Sequence, residues 1–307
     1  MEKKTNRWIF IIVFLIILFL MVSFIAGIAS IFISVEEPLT GNVALIPIKG
    51  MILPDKTQMF GQEGVSASDV VKNIEKADKA ENVKAIIFEI NSPGGAVVAS
   101  EEIVSAIKKT DKLTVAYIRE VGASGAYWAA SATEHIIASR MSITGSLGVI
   151  ASYLQFSGLL EKYNITYQRL ISGKYKDIGS PLKELSFEEE KMLQKQIELI
   201  HEYFVEEVAK NRNLSKDIVE EISTAKLFLG IEAKELGLID EFGGKEEAIK
   251  FIEEKLNITA DVKELVERKG LLDMLSQVMN EKSFFVGRGI GSSLLDQRMT
   301  NKIEIWS

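Results

Sequence analysis

Apolar residues are distributed along this chain in three regimes. From Trp8 to Val35 the run WIFIIVFLIILFLMVSFIAGIASIFISV holds 28 residues without a charge. Between about 42 and 257, short apolar runs alternate with stretches where apolar residues recur every three or four positions. Beyond about Ile258 the pattern weakens, and Gly287, Gly289, Gly291, Ser292 and Ser293 punctuate 281–307. The regimes predict an N-terminal segment (1–35), a folded domain (42–257) and a C-terminal extension (258–307), loosely held or ordered by a partner.

Within the middle regime, VALIPI (43–48) reads as a buried strand and SASDVVKNIEKADK as a helix capped by Ser66 or Ser68, with Val70, Val71 and Ile74 inward. KAIIFEI (84–90) is a strand ending at the turn NSPGG. A helix follows with Ala99, Ile103 and Ile107 on one face. LTVAYI (113–118) and HIIAS (135–139) are strands around a helix opened by GASGAYWAAS. ITYQRLI (165–171) reads as another strand. A long helix from about Ser186 to Arg212 carries Leu193, Ile197, Ile200, Phe204 and Val208. KLFLG, IEAKEL and GLIDEFGG are short pieces, and KEEAIKFIEEKL is a further amphipathic helix. Strands separated by helices imply right-handed parallel βαβ units. The expected fold class is α/β.

The first regime reads as a membrane anchor. About 20 apolar residues cross the hydrocarbon core, and the run exceeds the 7–15 residues typical of a cleaved signal's core. Lys3, Lys4 and Arg7 precede it while Glu36 and Glu37 follow, so the positive-inside rule puts the N-terminus in the cytoplasm and the rest outside. Residues 1–35 hold three basic and one acidic residue, so a chain total of −7 leaves −9 for the remainder. That acidity, without a basic stripe, argues against nucleic-acid binding. No cysteine is present, which excludes disulfides and a thiol nucleophile.

Two strand-to-helix junctions carry the candidate chemistry. Asn91-Ser92-Pro93-Gly94-Gly95 is a tight turn whose amides can form an oxyanion nest. Ser124, among Gly122, Ala123, Gly125 and Ala126, is either an N-cap or an exposed nucleophile. Both lie at one edge of a parallel sheet, where open α/β sheets bind ligands. A serine nucleophile needs a base. His135 and His201 occupy structural contexts, which leaves lysine. Lys174 and Lys176 in ISGKYKDIGSP (171–181) are the candidates, and the pattern alone does not separate them. Such a base must lose roughly three pKa units, about 4 kcal/mol. Ser142, Thr144 and Ser146 are available to orient it. No metal or nucleotide motif is present, so no cofactor is expected.

SPGG, ASGAYW, TGSLGV and GKYKDIGSP, in that order, resemble the signal peptide peptidases of the SppA type in its half-length form. The resemblance covers roughly 42–257. It implies a Clp protease/crotonase-like fold behind one transmembrane helix and a Ser-Lys serine protease. Ser124 falls on the nucleophile, Lys176 on the base, Gly94 and Gly125 on the oxyanion hole, and Ser146 on the base-orienting serine. It further implies a homo-oligomeric ring in which the lysine of one protomer serves the serine of its neighbour. Remnant signal peptides and short hydrophobic segments are the implied substrates, cleaved on the extracytoplasmic side of the membrane. The rivals are a stomatin-associated Clp-class membrane protease, a crotonase-like acyl-CoA enzyme, and a non-catalytic scaffold of the same fold.

Overall fold

A computed structural model describes residues 7–32, 40–55, 58–59 and 62–265 of the chain. Leu39–Val266 forms one compact unit. Helix α1 (Arg7–Phe32) lies outside it. The described side chains of α1, from Phe10 to Phe24, are all exposed. Over the described residues no helix is long and apolar enough to cross a membrane. The expected span, 8–35, extends past those side chains at both ends.

The compact unit opens with β1 (Val43–Lys49). Four two-residue strands follow: β2 (Ile52–Leu53), β3 (Gln58–Met59), β4 (Gln62–Glu63) and β5 (Val65–Ser66). Next come α2 (Ala67–Lys79), β6 (Ala85–Ser92), α3 (Val97–Lys109) and β7 (Leu113–Ala123). After them lie α4 (Gly125–Ser131), β8 (His135–Ala138), β9 (Ile143–Gly145) and α5 (Ser157–Lys162). The remaining elements are α6 (Phe187–Arg212), α7 (Lys216–Ile222), β10 (Leu227–Leu229) and α8 (Gly230–Glu235). The last three are β11 (Glu241–Phe242), α9 (Lys245–Leu256) and β12 (Val262–Glu264).

The main sheet runs β10-β9-β7-β6-β1-β12, with β8 paired to both β7 and β11. Its pairings are parallel except β10 with β9, as the βαβ reading expected. Strand β6 is buried on both faces because helices cover both. Ile86, Phe88 and Ile90 join α2, α3, α4 and α6 in one core, whereas Ala85 and Ile87 meet α9 through Ala248 and Ile252 in the other. Ser66 caps α2, accepting the Asp69 N–H at 3.2 Å.

Strand β7 changes partners along one edge. Val115–Ile118 pairs with β8, and Val121–Ala123 pairs with β9. It therefore runs five residues beyond the predicted 118, up to the residue before Ser124.

Three expectations need correction. ITYQRLI is not a strand: residues 151–156 and 158–159 are exposed, as are 161–174, and no sheet edge pairs with 165–171. The apolar stripe of α6 is only partly buried: Phe204, Val205 and Val208 are buried, whereas Leu193, Ile197 and Ile200 are half-buried. A strand beyond 258 went unpredicted; β12 pairs with β1 because Val43 and Leu45 leave an apolar edge there. The extension expected to be loosely held lies, from 266 on, outside the described residues.

Phe88 is fully buried on the central strand. Phe88→Ala is expected to lower unfolding free energy by about 3–5 kcal/mol. Urea unfolding followed by tryptophan fluorescence measures this; a loss below about 1 kcal/mol would mean the sheet core is packed differently.

Candidate active site

Strand β7 ends at Ala123 and α4 begins at Gly125, so Ser124 alone makes the turn. Its backbone is forced to φ 54° and ψ −128°. A side chain in such a region costs about 1–3 kcal/mol and persists only where the surroundings over-determine it. Two hydrogen bonds do so here. The Ser124 N–H donates to Gly145 O at 2.8 Å, and the Trp128 N–H donates to Ser124 O at 3.0 Å. As an N-cap, Ser124 would accept an amide of the first helical turn. Its hydroxyl makes no such bond. The capping account fails, which leaves the hydroxyl available as a candidate nucleophile.

The second junction converges on this turn. Gly94 has φ +96°, and a Cβ there would sit 2.8 Å from both Ser124 Cβ and Gly125 N. Only glycine fits the conformation and the contact together. The resemblance placed the Gly94 amide in the oxyanion hole; in the structure that N–H donates to the buried Ser92 Oγ at 3.1 Å. Gly94 makes room instead. The following residue is pinned as an added strand, with Ile52 N donating to Gly94 O and Ala96 N to Ile52 O, both at 2.9 Å. Gly95 N lies 3.7 Å from where a Cβ on Gly125 would be. Among the described residues neither the Gly95 nor the Gly125 N–H has a hydrogen-bond partner. These are the two unclaimed donors beside Ser124.

Ser124, Gly95 and Gly125 open onto a cavity of about 120 Å³. Val97, Val149, Ile150, Ile200, Phe204 and Trp128 supply apolar walls. These walls come from separate stretches of the chain, which is why the sequence alone gave no sign of them. Trp128 is held edge-on to Tyr203 and at 5.1 Å from Phe204, both on α6. The space suits a small or branched apolar side chain.

Of the three hydroxyls weighed for orienting a base, two are committed. Thr144 Oγ1 donates to Gly122 O at 2.7 Å, and Ser142 Oγ to Ile118 O at 3.2 Å. Ser146 is half-buried at φ 53°, one residue after the carbonyl that holds Ser124, and its hydroxyl has no partner among the described residues. Both histidines are engaged elsewhere: His201 Nε2 donates to Leu147 O at 2.9 Å, and the His135 ring stacks on Phe251 at 3.9 Å.

Lys174 and Lys176 lie on the arm 150–186, no residue of which beyond Ile150 lines the cavity at Ser124. The chain thus brings Ser124, Gly94, Gly125 and Ser146 together and leaves Lys176 apart. The two lysines differ. Lys174 Nζ pairs with Glu188, which with Tyr175 raises its pKa, the wrong direction for a base. Lys176 is exposed and enters no ion pair among the described residues.

A parallel, helix-covered sheet with a serine elbow beside two open amides defines an α/β hydrolytic enzyme. Residues 106–259 match the model of Peptidase family S49, and the chain belongs to that family as a serine protease. A 255-residue stretch is 33% identical to the protein of Methanocaldococcus jannaschii named "Putative protease MJ0651", over 81% of each chain. It is 30% identical over 242 residues to the Arabidopsis thaliana protein named "Serine protease SPPA, chloroplastic", and 29% identical over 229 residues to Protease 4 of Haemophilus influenzae. The matches cover 78% and 72% of this chain but only 35% and 36% of those longer relatives. A solved mutant of the "1510-N membrane-bound stomatin-specific protease" is similar at TM-score 0.49 and 18% identity, over 75% of this chain and all of that one.

Gly125→Ala would put a Cβ 2.1 Å from Ser100 Oγ on α3. The substitution keeps the N–H but must shift the turn, and is expected to lower peptidase activity by up to about 10²-fold, the scale of misplacing one candidate oxyanion donor. Adding Ser100→Gly should recover part of it. If the double variant is no better than Gly125→Ala in a peptide-hydrolysis assay, the close approach is not what requires glycine.

The carboxyl of Glu189 is held at about 2, first by Lys183 and then by Ser186. A depressed acid stabilises the fold above its ordinary value of 4.5, and that contribution is lost as pH falls towards 2. Carboxyl NMR should therefore find Glu189 mostly ionised between those two values, at about pH 3.3; half-protonation near pH 4.5 would mean that the pair does not form in solution.

Proposed function

We propose that the protein is a membrane-anchored endopeptidase in which Ser124 and Lys176 form a dyad completed between two copies of the chain. The observation that carries this reading is the Ser124 turn, strained, uncapped and facing two unclaimed amides. Ser124 Oγ attacks a substrate carbonyl carbon while neutral Lys176 takes the hydroxyl proton. The oxyanion is held by the Gly95 and Gly125 N–H groups, Gly95 standing where the resemblance put Gly94. The tetrahedral intermediate collapses as the lysinium gives its proton to the leaving amine, so that the C–N bond breaks and an acyl-serine remains. Water, deprotonated by the same lysine, then attacks the ester, and the proton returns to Ser124 as the acid product departs. Ser146 orients the amine.

Several features support a shared dyad. Lys176 stands away from the cavity at Ser124 on an arm with uncovered apolar side chains: Leu154 is 74% exposed, Tyr163 66% and Leu170 89%. A monomer that left so much apolar surface in water would be unusual. A second copy would cover it and would dry the lysine, as a neutral amine requires. The arrangement is proposed as a closed ring of identical chains.

The apolar cavity beside Ser124 supports substrates with a small or branched apolar residue at the cleaved bond. An extended peptide pairing with a strand edge would present it. Together with the apolar helix α1, this supports remnant signal peptides and other short hydrophobic peptides at the extracytoplasmic membrane face, with α1 as the anchor and the N-terminus in the cytoplasm.

The test is hydrolysis of a fluorogenic hydrophobic peptide. Ser124→Ala and Lys176→Ala are each expected to lose about 10³-fold or more, and Lys174→Ala to stay near wild type. Mixing the two inactive variants should restore a fraction of the activity, since intact serine and intact lysine then meet across an interface. Wild-type rates in Ser124→Ala would remove the nucleophile; no recovery on mixing would confine the dyad to one chain.

A further inference from the structure

We infer that Arg169, Asp177, Lys183 and Glu189 form a positioning chain for Lys176, bolting the turn that carries it to the first turn of α6. The inference rests on the Ser124–Lys176 reading of the site.

The turn itself is weakly built. Its backbone bonds are local: Lys176 N to Gly173 O and Ile178 N to Tyr175 O, both at 3.2 Å, and Ser180 N to Asp177 O at 3.0 Å. None ties it to a strand or a long helix. Left to these bonds, a lysine on an exposed turn would sample many positions. A base must come within about 3 Å of the proton it takes.

Side-chain charges supply the missing connection. Arg169 grips both oxygens of Asp177, the residue after Lys176, with Nη2 to Oδ1 at 2.7 Å and Nε to Oδ2. A two-pronged guanidinium–carboxylate pair fixes direction as well as distance. Lys183 Nζ lies 3.7 Å from Asp177 Oδ1 and 2.6 Å from Glu189 Oε1. Glu189 in turn accepts from Ser186 N at 2.9 Å and Ser186 Oγ at 3.0 Å, closing the capping box that starts α6. Isolated surface pairs contribute little. This chain differs, because the side chains of Asp177, Lys183 and Glu189 are only 13%, 18% and 7% exposed, with Arg169 at 39%.

Helix α6 carries the connection onward. Farther along it, Phe204, Val205 and Val208 are buried, and Phe204 packs at 5.1 Å against Trp128 of α4, the helix that follows Ser124. One rigid rod thus mounts the base-bearing turn at its first turn and braces the nucleophile's helix further along. A ring of identical copies would repeat that spacing at every site.

The full chain in detergent, assayed on a fluorogenic hydrophobic peptide, tests this. R169Q and K183M are expected to lower kcat by about tenfold or more while KM stays within about twofold, because misplacing a catalytic group by about 1 Å costs up to 10²-fold. R169K, which keeps the charge but not the fork, should recover part of kcat. Hydrogen exchange at the amides of 172–180 should quicken in R169Q. Wild-type kcat in R169Q and K183M, with K176A inactive, overturns the positioning role and leaves the dyad standing. Wild-type activity in K176A overturns the dyad and the positioning chain together. A kcat loss that appears only with smaller particles in light scattering also overturns it, since the charges would then hold the assembly and not the base.

Discussion

Strand β7 passes into helix α4 through one residue, and the candidate active site is organised around that economy. A strand and a helix need different backbone angles, and a single residue must absorb the whole change. Ser124 does so at positive φ, held by the carbonyl of Gly145 and by the first bond of α4. The local cost is about 1–3 kcal/mol. It is met by a long β7 with two successive partners and by an α4 whose seven residues are all buried. The hydroxyl stays uncapped because at φ 54° and ψ −128° Ser124 is outside the extended region from which an N-cap side chain reaches the first-turn amides.

The small residues around Ser124 follow from the same constraint. Gly94 must leave space for the serine's own Cβ, and Gly125 must let α3 come within contact of α4. Both approaches bring unclaimed amides to the side of the hydroxyl. Ser92 completes the arrangement by taking the Gly94 N–H, which fixes the loop so that the next amide, not this one, is left open.

Much of this was legible in the sequence, for identifiable reasons. The β-branched runs of β1, β6 and β7 and the spaced alanines and isoleucines of α3 report burial directly, and burial is what those elements have. SPGG and GASGA announced the two junctions because tight turns restrict residue choice. What could not be read depends on partners distant in the chain. ITYQRLI has strand-like composition but finds no edge, and VKE has little but finds one beside β1. The claim on the Gly94 amide is a matter of one serine rotamer. The cavity walls come from α3, α4, the 148–150 stretch and α6, which no single window contains. The arm's ion pairs were hidden in the same way, since Arg169 and Glu189 are twenty residues apart and look like ordinary surface charges.

The separation of lysine from serine also has a physical rationale under the proposed dyad. A lysine is neutral near pH 7 only if its surroundings are dry, and drying a charged group within a single folding chain is costly. An arm that stays in water while the chain folds avoids that cost, because Lys176 can remain protonated until a neighbour covers it. Burying the arm's apolar side chains would then supply the free energy that desolvates the amine. Under that reading folding and activation would be separate events, and a chain that had not yet assembled would have a formed serine turn but no base.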